Sequence, residues 1–210
     1  MTMQDVLKQI IKETIAPLLK KEGFRKQGNN FVKAFSEYSA TLNIQSSKWN
    51  TRNEAEFCFN TGIYVDKLFG TVFLYQQPSF PLEVNSVLRI TSAELSKNNS
   101  WYRLTKDTDI QQLKLTITKD ICEHIVPHFH QFENIHDVIK IMELREKEGF
   151  YENPHYLTVL YYSIGNMEKA QQRMTSVFHE TKLDTQMEFT RELANRLGLQ
   201  VTSTSLNVDI

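Results

Sequence analysis

The sequence predicts an α+β fold: an N-terminal helix, an antiparallel sheet of about four to five strands, a long helix and then a helical C-terminal annex. Three observations carry that expectation. Apolar residues recur at steps of three and four at both ends of the chain. Short alternating runs rich in Phe, Val and Ile fill the span between Phe31 and Val65. The links between those runs are short and turn-forming, which suits hairpins and not the long crossovers of a parallel sheet.

Taken in order, Val6, Leu7, Ile10, Ile11, Ile15, Leu18 and Leu19 make an amphipathic helix from Gln4 to Lys21. Pro17 is expected to bend its last turn. Gly23, behind Lys20 and Lys21, supplies the stop, because glycine reaches positive φ without steric cost. The strand candidates are NFVKAFSEY, ATLNIQS and AEFCFNTGIYV, bounded by Gln27-Gly28-Asn29-Asn30, Ser36-Glu37-Tyr38-Ser39 and Asn50-Thr51-Arg52-Asn53. From Asp66 to Asn85, with Pro78 and Pro81, the chain reads as a functional flap or mobile loop. SVLRITS is a further strand. After Trp101, Ile110, Leu113, Ile117, Ile121 and Ile125 share one helical face until Pro127, which should break or kink the helix.

The pattern stays helical over Ile135 to Lys147, Pro154 to Gly165, Met167 to Lys182 and Thr185 to Leu197. Within it, Leu157, Tyr161, Gly165, Ala170 and Met174 fall at intervals similar to part of a tetratricopeptide repeat. A solenoid needs about three such units, so an ordinary helical hairpin is expected. The expected division is residues 1–133 for the α+β domain and 134–210 for the annex.

The 210 residues, 40% hydrophobic and 23% charged, suffice for one good core or two modest ones. Lys+Arg 24 against Asp+Glu 25 leaves a formal charge of -1, so no bulk field draws the molecule to nucleic acid or an anionic membrane. Lys8, Lys12 and Glu13 interrupt the N-terminal apolar residues, unlike a signal peptide, and a cytoplasmic, non-membrane protein is expected. Cys58 and Cys122 sit among apolar residues and read as buried reduced thiols. Asn98-Asn99-Ser100 matches a glycosylation sequon but reads as a polar turn.

No GxxxxGK[ST] or GxGxxG motif occurs, and no cofactor is expected. His124 and His128 have the i, i+4 spacing of paired metal ligands, but Pro127 falls between them and no HExxH is present, so metal is not expected. Lys20, Lys21, Arg25, Lys26 and Lys33, with Phe24 and Phe31 interleaved, form a basic lip whose binding alternative is weak nucleic-acid contact.

KKEGFRKQGNNF, then NIQSSKWN, EFCFNTGIYV, VLRI and SWYRL together resemble the DUF4304 family, a bacterial domain of unknown function. The likeness runs from about Val6 to Ile125 and rests on Gly23-Phe24, Gln45-Ser46-Ser47-Lys48, Asn60 with Gly62, Arg89 and Trp101. It implies an α+β fold with an antiparallel sheet and implies no activity. The chain departs from the family pattern at Tyr102, where a second Trp is common, and at Ser86-Val87-Leu88, where a more polar stretch is common.

The candidate site is a polar patch of Gln45, Ser46, Lys48, Asn60, Arg89 and Trp101. Strand alternation puts Gln45 on one face of its strand, and Asn60 and Gly62 opposite Phe57, Phe59 and Ile63 on the next. If those strands pair, Gln45 or Lys48 lies near Asn60. Amides and cations in that arrangement suit an anionic or main-chain partner, whereas Ser46 and Ser47 have no activating histidine close in sequence. The structural alternative is a solvated sheet face in which Gly62 marks a bulge. The expected function is a non-catalytic module that binds another protein, for example of immunity type, with the annex as a docking surface or homodimer interface. The competing expectation is an enzyme that uses Lys48, Asn60 and Arg89 on a small anionic substrate.

Overall fold

A computed structural model describes residues 1–74, 76–97, 101–150 and 153–201. The chain groups into two compact units, one built from 1–66 and 77–138, the other from 67–76 and the residues from Ile139 onward. The sequon at Asn98-Asn99-Ser100 lies outside the described residues.

The first unit begins with α1 (Met3–Ile10), a π-helical turn (Ile11–Ile15) and α2 (Ala16–Lys21), which run on without a break. Thr2 and Asp5 cap α1 reciprocally. The strands β1 (Arg25–Gln27), β2 (Asn30–Ala34), β3 (Ser39–Ser46) and β4 (Glu54–Tyr64) follow as an antiparallel meander. β5 (Leu88–Thr91) and β6 (Tyr102–Thr105) both pair antiparallel with the free edge of β4, β5 over Asn60–Ile63 and β6 over Glu54–Phe57. The sheet therefore has six strands, and the short β1 and β6 extend the expected set.

One face of β4, carrying Ala55, Phe57, Phe59, Thr61 and Ile63, is fully buried. α1 packs on β4 and β6, and its continuation meets the second long helix, α5 (Ile110–Asp120). That helix also runs on, through a π-helical turn (Ile121–Ile125) into α6 (Val126–His130). Phe24 and Phe129 close the layer at 5.4 Å between ring centroids, and Lys114 bridges to Glu13 at 2.9 Å. Burying each large apolar side chain in this layer contributes about 1.5–3 kcal/mol.

Pro127 does not break its helix. Ahead of it the N–H of Val126 bonds to the carbonyl of Ile121, and ahead of Pro17 the N–H of Ala16 bonds to Ile11. The reason lies in the buried stripes, Leu7-Ile11-Ile15-Leu19 and Ile117-Ile121-Ile125-Phe129, which both advance by steps of four. In a pure α-helix four residues overshoot a full turn by about 40°. The wider π-turn winds that drift back, so both stripes stay on one face, and it accommodates the proline ring.

The segment expected as a flap is more ordered. It holds α3 (Asp66–Phe73) and, after residue 77, a 3-10 turn (Glu83–Asn85) that rejoins the sheet. α4 (Ser92–Ser96) follows β5 directly.

α7 (Ile135–Lys147) leads from the first unit into the second. There α8 (Pro154–Ser163) and α9 (Met167–Glu180) form a hairpin, followed by α10 (Asp184–Leu197). Gly165 turns the hairpin at φ +76°, and Leu157, Tyr161, Ala170 and Met174 are buried. Glu143 accepts from the Tyr161 hydroxyl and from Lys169, and Glu146 pairs with Arg173, which ties α7 to the hairpin. Among the described residues no helix is long and apolar enough to cross a membrane.

Candidate functional site

The second face of the sheet is organised in rungs, because residues paired across strands point to the same side. Gln27, Asn30, Asn43, Asn60 and Thr91 are consecutive partners across β1 to β5, so one rung is polar throughout and uncharged. Asn43 Nδ2 donates to Asn30 Oδ1 at 2.7 Å, and Asn60 Nδ2 donates to Gln45 Oε1 at 2.6 Å. Each amide has two N–H groups and two lone pairs on oxygen, so these bonds leave capacity unspent.

The next rung is Arg25, Val32, Thr41, Gly62 and Arg89. A strap formed by residues 81–87 crosses it. Ser86 Oγ lies 2.8 Å from Thr41 Oγ1, and Val87 N–H bonds to Ile63 at 2.8 Å. Gly62 is no bulge: it stays in register, and a Cβ there would stand 2.4 Å from Ser86 Oγ. Glycine is needed because the strap passes so close. Arg89 Nε donates to Glu83 at 2.6 Å, with a second guanidinium contact at 3.3 Å, and the Glu83 side chain is buried. The arginine thus holds the strap by a forked ion pair.

Beyond the amide rung, Gln45 is the partner of Cys58. Burial, with Glu83 a smaller influence, pushes the Cys58 thiol up to about 11, so it is protonated at neutral pH. Ser46 is the partner of Phe57 and so faces away from the rung. The strand ends there, and Lys48 sits in the turn with its ammonium 4.9 Å from the Trp49 ring centroid. Trp49 is 78% exposed. Asn50 pins this turn by bonding both the N–H and the carbonyl of Glu56, at 2.7 and 3.1 Å. Trp101, partly exposed, immediately precedes β6. Phe57 pairs with Ser46 on one side and Tyr102 on the other, so the Trp49 turn and Trp101 flank the same stretch of β4.

The structure thus joins Gln45 to Asn60, places Arg89 one rung away on the same face, and sets Lys48 and Trp101 at the far end. Sequence reasoning missed Asn30, Asn43 and Glu83. The period of two that links Asn43 to Gln45 is a signal for the first rung, whereas nothing near Glu83 in sequence announces its burial.

Elsewhere, Phe24 and Phe31 of the basic lip are buried, so neither ring is open for a base to stack on. His128 is buried with Nδ1 2.6 Å from Gln131, and among the described residues no group of three or more His, Cys, Asp or Glu could hold a metal ion. Tyr102, at the departure from the family pattern, is buried and donates to Asp120 at 2.5 Å. Burial, reinforced by that bond, raises its pKa well above the usual phenol range.

These features define an α+β protein whose antiparallel sheet buries one face beneath two long helices and presents an amide-lined rung on the other. The DUF4304 family model, a domain of unknown function, matches residues 15–131, more than half of the 210, and the chain belongs to that family. α7 to α10 lie beyond the matched residues. No curated protein and no solved structure matches the chain.

Proposed function

We propose that this protein is a non-catalytic interaction module and that the amide-lined sheet face is where it recognises another protein. The observation that carries the reading is the uncharged rung Asn30-Asn43-Asn60-Thr91, joined to Gln45, with Lys48 and exposed Trp49 in the turn that follows β3. Side-chain amides donate and accept in the same geometry as a peptide group, so a row of them suits the main chain of a partner's extended segment. Trp49 offers a large apolar contact with little entropy to lose, and such residues dominate binding energy at interfaces. An immunity-type protein that occupies a partner's site is one form of this reading. The enzyme reading has less support, since Arg89 is engaged by Glu83 and the Cys58 thiol is neutral.

The test is affinity capture from lysate of the source cell with the wild type, the double variant Gln45→Ala/Asn60→Ala, and Trp49→Ala. The reading expects a partner that the wild type and an exposed control, Glu188→Ala, retain and that both sheet variants lose. Capture unaffected by either sheet variant would remove the face from consideration.

A further inference from the structure

A second surface lies at the edge of the sheet. It shares only Gln27 with the amide rung and does not depend on the reading of that face. Among the described strands β1 is terminal and pairs with β2 alone. All three of its residues, Arg25, Lys26 and Gln27, are exposed.

The register fixes which main-chain groups this edge offers. The Ile44 N–H bonds to the Asn29 carbonyl at 2.9 Å, so Asn29 and Ile44 form a hydrogen-bonded position between β2 and β3. Such positions alternate with unbonded ones in an antiparallel ladder, so Phe31 likewise spends its N–H and carbonyl on Leu42. Lys26 stands opposite Phe31 on the other side, and its own N–H and carbonyl therefore turn outward, away from β2. Among the described residues nothing bonds to them. An edge with unpaired main-chain groups is a template for an incoming strand.

The charge around the edge, an independent observation, says what kind of strand. Between residues 20 and 33 stand five cations, Lys20, Lys21, Arg25, Lys26 and Lys33, against one carboxylate, Glu22. The Lys33 side chain passes 3.7 Å from where a Cβ on Gly23 would stand, which sets it beside the end of α2 that carries Lys20 and Lys21. Glu22 lies 3.8 Å from His130, and among the described residues none of the five cations is in an ion pair. Three of them rest on rings: Arg25 over Phe80 at 5.9 Å, Lys26 over Phe31 at 5.8 Å and Lys33 over Phe35 at 5.1 Å. Such contacts fix the stem of a cation and leave its charged head in water.

We propose that β1 takes an extended, acidic segment of a partner protein as an added strand, the Lys26 N–H and carbonyl bonding its main chain and the surrounding cations holding its carboxylates. Two other occupants fit worse. A second copy paired through β1 would set cation against cation across the new seam. Nucleic acid brings phosphates for the lysines but no peptide groups for the edge, and the Phe24 and Phe31 rings that could stack on bases are buried.

The experiment titrates the full chain at low salt with an acetylated, amidated octapeptide that alternates Thr and Glu, followed by backbone amide NMR and hydrogen exchange. Saturable binding with a dissociation constant of about 1 mM or tighter is expected, with shifts centred on 20–33. Exchange of the Lys26 N–H should slow severalfold, which a peptide held by charge alone would not achieve. The counterpart that alternates Thr and Gln should bind about tenfold more weakly, as should the acidic peptide when salt rises from about 0.05 to 0.5 M. Arg25→Glu/Lys26→Glu, at exposed positions, should keep the melting temperature and abolish binding, and Lys20→Gln/Lys21→Gln should weaken it a few fold. Gln45→Ala/Asn60→Ala should bind the peptide as the wild type does, which separates this edge from the amide rung. Failure of the acidic peptide to saturate, equal affinity for the two peptides, an unprotected Lys26 N–H, or tighter binding at 20–33 of a short DNA duplex or of phosphatidylglycerol vesicles would each overturn the proposal.

Discussion

Lys48 and Arg89 are both cations of the candidate patch, but their neighbours assign them different work. Lys48 lies over an exposed indole in a turn, so Lys48→Ala should change stability by no more than about 0.5 kcal/mol. Arg89 is the ion-pair partner of buried Glu83, and Arg89→Ala would strand that carboxylate. The arginine is half-exposed, which moderates the loss to about 1–3 kcal/mol, measurable as a lower urea midpoint. A neutral Arg89→Ala would show that the strap is held by its other contacts. His155 makes the pH prediction. Burial, with the Arg173 cation a smaller influence, holds its imidazole down at about 4, below the ordinary value near 6.5. The unfolded chain therefore takes up a proton that the native chain refuses as pH falls from about 6.5 to 4. Its contribution is complete above about pH 6.5 and is lost through that window. Urea midpoints at about pH 7.5 and 5 should differ less in His155→Asn than in the wild type.

At the level of elements, the two long helices solve one problem in the same way. Stripes advancing by fours drift off a regular helix, and a π-turn at Ile11–Ile15 and at Ile121–Ile125 keeps each stripe on the core. Because the stripe, and not the proline, demands the wide turn, Pro127→Ala should preserve the fold and change stability by less than about 1 kcal/mol. Deleting exposed Glu123 tests the same point: one residue fewer leaves Ile117, Ile121, Ile125 and Phe129 at spacings of four, three and four, which share one face of a regular α-helix, so the stripe no longer needs the π-turn. The deletion should then cost about 3 kcal/mol for the proline left inside a regular helix, and in the Pro127→Ala background it should be nearly neutral in equilibrium denaturation. A loss of several kcal/mol in that background would show that the stripe does not set the π-turn.

For the molecule as a whole, the cysteines give a simple check. Both read as buried from their apolar sequence neighbours, but Cys122 is exposed, because the π-turn directs Ile121 and Ile125 inward and leaves Cys122 and Glu123 outside. In the native protein one thiol should react readily with a thiol reagent, at Cys122, and Cys58 should react only after denaturation, when its buried and protonated state is released. Two fast thiols would contradict the placement of Cys58. Chelation should leave the melting temperature unchanged, since His128 is committed to Gln131 and Pro127 and the π-turn separate it from His124. A fall on adding EDTA would reveal a metal.

Periodicity was enough to determine the α+β class, the amphipathic first helix, its stop at Gly23, the alternation of β3 and β4 and the helical C-terminal half, because each is written in spacings a few residues long. The closeness of Gln45 to Asn60, a diagonal contact across β3 and β4, was legible too, since the turn between two strands that pair brings both to one face. Other features were decided only by tertiary structure. Gly62 is required by Ser86, which is distant in sequence and adjacent in space, and Glu83 is buried by the same crossing. The amide rung needs four strands in one alignment, and Asn30 acquires its place in it only when β2 meets β3. Local spacing specifies which face of an element is apolar; what crosses the opposite face depends on which remote segment the core leaves free to fold over it.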